Sequence, residues 1–378
     1  MIPLRRALDR LRARPGAQAA RVLAWGLGLG LPAMVVGAVA AGGDLLRARA
    51  AAVPMVLGPP GDHTDLALAA LRFDGRIHGS LPAARATLGP RAEALPLRLG
   101  HRVGSTPVVG VDPGLLRVRG LRVADGRPFV ALGEAVAGAR AAARAGLRPG
   151  AQVQPAPPLH HDLAGATPLV LSVVGVLAPS GGPEDDALLT DLATTWALDG
   201  HLHGHASADG QSGAAAAAEL APGTFLLEEA RPEDLSQFHA HGDPAGLPVS
   251  LILVHPRDAR AHDQLWAELS LDPSVSVVRP AQAIEELLAL AADLRDLALL
   301  LLLPGTVGAV ALLALVERLA AEADRAEDAV FATQGLPAGA VRAIRRAERL
   351  LVATAALAVA AALAATGPLL LVPWALHR

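Results

Sequence analysis

The sequence has no cysteine and no tyrosine, and all 33 of its basic residues are arginine. Without cysteine there are no disulfides and no thiolate metal sites, so Cys-type zinc ligation is excluded. Without lysine there is no G-x-x-x-x-G-K-[ST] loop. The chain is therefore not expected to hydrolyse ATP by itself, and it is not expected to be an enzyme. Aromatic residues make up 2% of the chain, and the formal net charge is −3. Base-stacking aromatics are nearly absent and the balance of charge is not basic, so nothing argues for nucleic acid. Serine is sparse and no G-x-S-x-G occurs. Asp185-Asp186, in the run Gly181-Gly182-Pro183-Glu184-Asp185-Asp186, reads as an exposed turn rather than as catalytic carboxylates.

What the sequence does have is apolar length. It is 52% hydrophobic over 378 residues, enough for two or three domains. Residues 297–316 run for 20 positions without a charge and end at Glu317-Arg318. At about 1.5 Å per residue, such a helix crosses a bilayer core of about 30 Å. Residues 22–43 form a second uncharged run of 22. They follow a basic segment, 1–21, with Arg5, Arg6, Arg10, Arg12, Arg14 and Arg21 against the single acid Asp9. The run is long for the core of a cleaved signal, and Gly26, Gly28, Gly30 and Gly37 suit close helix packing. It reads as a retained first transmembrane helix with its arginine flank cytoplasmic; cleavage is the alternative. A third run, 350–376, passes Gly367-Pro368 and Pro373 and fits one tilted, broken span.

Residues 44–293 contain no such run and carry twelve of the thirteen histidines. Short β-like stretches at 106–111, 169–177, 249–255 and 275–278 alternate with turn signals such as Asp112-Pro113-Gly114. Residues 134–147, 258–269 and 280–303 read as helices. The histidine- and glycine-rich segment 200–223 reads as a mobile insertion. The helix from 280 is expected to continue into the second span, with a kink at Pro304-Gly305. The expected fold is thus a membrane protein with three transmembrane α-helices. A large α+β extracytoplasmic domain lies between helices 1 and 2. The divisions are 1–21 cytoplasmic, 22–43 first span, 44–293 outer domain, 294–316 second span, 317–349 cytoplasmic loop and 350–376 third span. Within the loop, two short helices broken at Gly335-Leu336-Pro337 are expected.

This layout resembles the MacB-like, FtsX-like permease superfamily of bacterial ABC transporters, in which one helix precedes a large outer domain. Residues 108–113 (VVGVDP), Gly126-Arg127-Pro128-Phe129, 145–150 (AGLRPG) and 173–183 (VVGVLAPSGGP) are similar to that family's outer-domain phrases. So are Gly58-Pro59-Pro60 and residues 78–82 (HGSLP). Glu317-Arg318 through Gly335, with Glu348, resembles its cytoplasmic loop. Ala332, Thr333 and Gln334 stand where the family usually has an arginine, and the family carries a fourth membrane helix where this sequence offers three. The resemblance implies a permease subunit of the bacterial inner membrane, acting as a homodimer with an ABC ATPase. It also implies a periplasmic adaptor or substrate-carrying protein. The implied ATPase-coupling residues are Glu317, Arg318, Arg325, Gly335, Arg342, Arg345 and Arg346. The plainer alternative is that these arginines sit at lipid headgroups.

No cofactor is required by this reading. A divalent metal such as Zn2+ has one candidate site. His201, His203 and His205 alternate, which on a strand puts three imidazoles on one side, and His239 and His241 follow. The alternative is a solvated tract in which the histidines have no role. His160-His161-Asp162 is a weaker cluster. Two other functions remain open: a membrane-anchored regulatory protein of FtsX type, and a tethered metal-binding module.

Overall fold

The structure is a computed structural model that describes residues 2–74, 77–156, 169–203, 239–240 and 243–376. The chain divides into two compact units, Met1–Leu46 with Leu287–Arg378, and Arg47–Glu286. The helices are α1 (Ile2–Ala13), α2 (Pro15–Ala51), α3 (His63–Arg72), α4 (Gly114–Val118), α5 (Ala139–Ala145), α6 (Leu192–Leu198), α7 (Ala259–Ser270), α8 (Pro280–Thr333) and α9 (Ala338–Leu376). The first nine strands are β1 (Met55–Gly58), β2 (Leu81–Pro82), β3 (Ala92–Val103), β4 (Thr106–Val111), β5 (Val123–Gly126), β6 (Glu134–Ala137), β7 (Gln152–Val153), β8 (Leu171–Leu177) and β9 (Leu188–Asp191). The remainder are β10 (Leu202–His203), β11 (His239–Ala240), β12 (Pro248–Val249), β13 (Leu251–Pro256) and β14 (Ser276–Val278).

The unit Arg47–Glu286 is built on one mixed sheet, in the order β14-β1-β13-β3-β4-β9-β6-β8-β5, with β7 added to β8. β1 is antiparallel to both β13 and β14, and β13 is antiparallel to β3. It follows that β1 runs parallel to β3 with β13 between them, and β13 parallel to β14 with β1 between them. The result is two interleaved split β-α-β units, using α3 and α7. β4 is buried at all six positions, consistent with its place inside the sheet between β3 and β9. Two cores form. Met55, Leu57, Ile252, Val254 and Leu265 make one, and Ala135, Ala137, Leu171, Val173 and Leu188 the other. Trp196 packs against both, and its indole donates to the Pro248 carbonyl at 2.7 Å. Asp62, Asp191 and Asp258 cap α3, α6 and α7 by accepting from backbone N–H groups.

Several expectations are corrected. Residues 134–147 are not one helix. Residues 134–137 form β6, wedged between β8 and β9, and the helix starts only after Gly138. Local alanine propensity favoured helix there, and burial between two strands overrides it. Gly138 is needed because a Cβ there would lie 2.1 Å from the Glu184 carbonyl oxygen. The acidic run at 184–186 is not an exposed turn: Glu184 and Asp185 are each 1% exposed. Arg119 reaches Glu184 at 2.8 Å, while Arg140 reaches Asp185 at 2.9 Å and Asp186 at 2.5 Å. Arg49, near the end of α2, donates to the Gly181 carbonyl of the same loop. The helices that contain the first and third uncharged runs are longer than those runs. α2 extends past 22–43 at both ends, and α9 is one helix from Ala338 through Gly367-Pro368. Segment 1–21 includes a separate helix, α1.

Three of the phrases that suggested the resemblance, 126–129, 145–150 and 173–183, meet around β8. A Cβ on Gly126 would lie 2.2 Å from the Val174 carbonyl, and one on Gly175 would lie 2.3 Å from the Arg127 carbonyl. The Gly150 N–H donates to the Val173 carbonyl at 2.7 Å.

The other unit is a helical bundle. α2 and α9 are long and apolar enough to cross a membrane. They touch through glycine. A Cβ on Gly26 would meet Val359 at 2.8 Å, one on Gly30 would meet the Ala360 Cα at 2.9 Å, and one on Gly367 would meet Met34 at 2.0 Å. Both numbers rise together, so α2 and α9 run parallel. Gly28 faces Leu313 and Arg21 faces Glu317, so α8 runs antiparallel to α2. The glycines let the backbones approach closely, as small residues do between membrane helices.

Candidate functional site

The candidate coupling segment, 317–349, is the turn between α8 and α9 together with the helix ends that flank it. No pair of short helices is present; α8 continues to Thr333 and α9 starts at Ala338. Between them Gly335 takes φ +81°. The Leu336 N–H returns to the Phe331 carbonyl at 3.1 Å, closing α8 with a Schellman-type turn that glycine permits.

Two faces of this hairpin differ. On the inner face Arg345, 9% exposed, reaches Asp324 at 2.9 Å, Asp328 at 2.6 Å and Glu348 at 3.6 Å. Arg10 of α1 reaches Glu348 at 3.2 Å and Asp324 at 3.5 Å, and stacks over Phe331. Gln18 adds a bond to Glu348 at 3.0 Å. Arg21 holds Glu317 with its Nε at 2.7 Å. α1, the start of α2, α8 and α9 are thus tied by alternating charges. In a buried network of this kind, loss of one partner costs about 3–5 kcal/mol.

On the outer face Arg318, Arg325, Arg342 and Arg346 are exposed. Arg318 and Arg325 lie seven residues apart on α8; Arg342, Arg346 and Arg349 lie four and three apart on α9. Helical spacing puts each set on one stripe. The only acid paired to this stripe in the described contacts is Glu322, 3.7 Å from Arg318.

The seven sequence-predicted residues therefore divide. Arg318, Arg325, Arg342 and Arg346 present charge outward, Gly335 shapes the turn, and Glu317 and Arg345 hold the helices together. Sequence reasoning missed Arg10, Asp324, Asp328 and Glu348 as members of the inner network. The available signal was the i, i+4 pair Asp324 and Asp328 before the Gly335 break, with Arg345 and Glu348 at i, i+3 after it.

Of the predicted metal ligands, His205 and His241 lie outside the described residues, as do most of segment 200–223 and the cluster His160-His161-Asp162. β10 pairs antiparallel with β11, with His203 opposite His239 in the backbone register. His201 is exposed, and its N–H donates to the Trp196 carbonyl at 2.8 Å. Among the described residues no group of three or more potential metal ligands converges. Just before this segment Asp199 accepts from Arg98 at 2.7 Å and meets His101 Nε2 at 2.8 Å. Burial pushes the Asp199 carboxyl up, but the bonds from His101 and Arg98 outweigh it and hold the group below its ordinary value.

No protein-family model matches the sequence, and no curated protein matches it. Solved structures do show a likeness. The likeness is to outer domains of ABC transporters. The periplasmic region of MacB from Actinobacillus actinomycetemcomitans is similar over 63% of this chain and 94% of its own, with 12% identity and a TM-score of 0.34. The extracellular domain of the noncanonical ABC-type transporter YknZ from Gram-positive bacteria is similar over 59% of this chain and 98% of its own, with 12% identity and a TM-score of 0.30.

Proposed function

We propose that the chain is the membrane subunit of a MacB-like ABC system in a bacterial inner membrane. α2, α8 and α9 are its three spans, the unit Arg47–Glu286 is periplasmic, and the α8–α9 hairpin is cytoplasmic. The observation that carries this reading is the up-down-up order of α2, α8 and α9, with the sheet unit inserted between α2 and α8. The charge distribution supports it. Basic α1 and the arginine stripe belong to the same end of the bundle, which is the end that the positive-inside rule keeps in the cytoplasm.

In this mechanism a separate ATPase docks on the stripe Arg318, Arg325, Arg342 and Arg346. Closure of two ATPases moves the hairpin of each subunit in a homodimer. The inner network of Arg10, Arg345 and Glu348 makes α1, α8 and α9 respond as one body. α8 is a single helix from Pro280 to Thr333, so it transmits that movement to the outer domain. The outer domain then pushes or releases a periplasmic substrate or its carrier. A regulatory protein of FtsX type would use the same coupling, with a partner enzyme in place of the substrate.

The test is co-purification of the detergent-solubilised chain with the ABC ATPases of its own genome. Wild type is expected to hold one of them, and Arg318→Glu and Gly335→Trp are expected to lose it. Failure of the wild type to hold any would overturn the reading. Divalent-metal binding at the histidine strands is a separate proposal, supported by the register of His203 opposite His239. Zinc titration of wild type against His203→Ala decides it: equal binding by both would remove it.

A further inference from the structure

The outer domain contains a cavity of about 350 Å³ beside β14, which ends one side of the sheet among the described residues. Its wall is made by α7, β14 and the first turns of α8. Ser270 and Ser276 supply hydroxyls, and His63 and Glu286 line it as well. The volume falls at the lower end of the range of small-molecule sites.

Arg279 sets the chemistry. Its guanidinium carbon lies 4.0 Å from the centre of the Trp266 ring, and both residues line the cavity. The Arg279 Nε is shielded from solvent and meets no hydrogen-bond acceptor. Among the described residues no carboxylate is paired with Arg279, whereas Arg85 and Arg91 of the same domain each hold an acid. Stacking on an indole holds a guanidinium flat and leaves its donor edge free for a planar acceptor. A donor removed from water without an acceptor is costly, so an oxyanion entering here supplies what the site lacks.

We infer that this cavity is a binding site for a small organic carboxylate, held by the Arg279 edge against Trp266. The charge balance selects the class. One guanidinium faces one anion, and Glu286 in the same lining repels a second negative charge. A monoanionic carboxylate therefore fits better than a phosphate dianion. The apolar walls Val275 and Val277 accept the body of the ligand. This site does not depend on the transport reading; it needs only the outer domain as described. A ligand bound there touches Gln282 and Ala283 in the first turn of α8.

The test uses the full chain in detergent, titrated with benzoate, hippurate and phenylphosphonate, and with neutral benzyl alcohol as control. Tryptophan fluorescence is the readout, since Trp266 lies in the wall. Saturable quenching is expected with at least one carboxylate, weaker with phosphonate and absent with benzyl alcohol. Arg279→Gln is expected to weaken carboxylate binding about tenfold or more, and Arg279→Lys by less, because lysine keeps the charge but not the planar fork. Trp266→Phe is expected to remove most of the signal. Isothermal titration on the same variants keeps the result independent of the fluorophore. No saturable carboxylate binding by wild type, or equal binding by Arg279→Gln with an unchanged thermal melt, would overturn the proposal.

Discussion

The two units use apolar side chains in opposite ways. Apart from Val130 and Leu271, every large exposed apolar residue among those described lies outside Arg47–Glu286. Leu23, Leu27, Leu31, Val35 and Val39 stand out from α2, and Leu312, Leu315, Leu357 and Leu370 from α8 and α9. In the sheet unit, Leu and Val side chains of comparable size are fully enclosed. A water-soluble surface does not carry apolar stripes of that extent, and a lipid-facing surface does. The polar groups are reversed as well. The bundle uses its glycines for helix contact and interlocks Arg10, Arg21, Glu317, Arg345 and Glu348 at one end. The sheet unit spends its buried charges on the loop at 181–186. The difference teaches that one chain is folded against two solvents.

That comparison can be broken from either side. The largest effect is expected from Gly138→Ala, where the new Cβ would strike the backbone of Glu184 and Asp185. The acidic loop and β6 cannot separate without losing both, and a destabilisation of about 3 kcal/mol or more is expected. Gly30→Ala in the bundle meets Ala360 at 2.9 Å, but two helices can part by a few tenths of an ångström. Its cost is expected to be smaller. Limited proteolysis read separately for the two units checks the order; equal losses would contradict it.

Next in size is Asp199→Asn. Asp199 accepts from Arg98 and His101 in a largely buried place, so neutralising it leaves a guanidinium without its counter-charge. A loss of about 2–4 kcal/mol is expected at neutral pH. Because the folded carboxyl sits below its ordinary value, the contribution is complete above about pH 4 and disappears as pH falls through the folded value. Wild type and variant should therefore converge in strong acid, as followed by thermal melting across pH. The smallest effect is expected from Glu134→Gln. Arg127 pulls the Glu134 carboxyl down to about 2. The pair is exposed on its arginine side, so screening keeps its worth below about 1 kcal/mol, fully present above about pH 4 and lost toward pH 2.

The division into apolar helices and an inserted sheet unit was legible because the uncharged runs depend on length and charge alone. The strands at 106–111 and 275–278 were legible from β-branched residues between turn signals. β6 was not, because Glu134-Ala135-Val136-Ala137 has helical composition and becomes a strand only by pairing with β8 and β9. The buried acids at 184 and 185 were hidden for the same reason, since Arg119 and Arg140 lie 65 and 45 residues away. At the candidate site the arginines were legible as charge, but their division into an inner network and an outer stripe required the partners Arg10 and Glu348, 338 residues apart.

The proposed topology puts the sheet unit outside the membrane and the α8–α9 hairpin inside. The chain has no cysteine, so single substitutions report cleanly. Ser105→Cys and Gln334→Cys place a thiol at an exposed position of each. In spheroplasts, a membrane-impermeant maleimide is predicted to label Ser105→Cys at once and Gln334→Cys only after the membrane is opened. Labelling of both in intact spheroplasts, or of Gln334→Cys alone, would contradict the account.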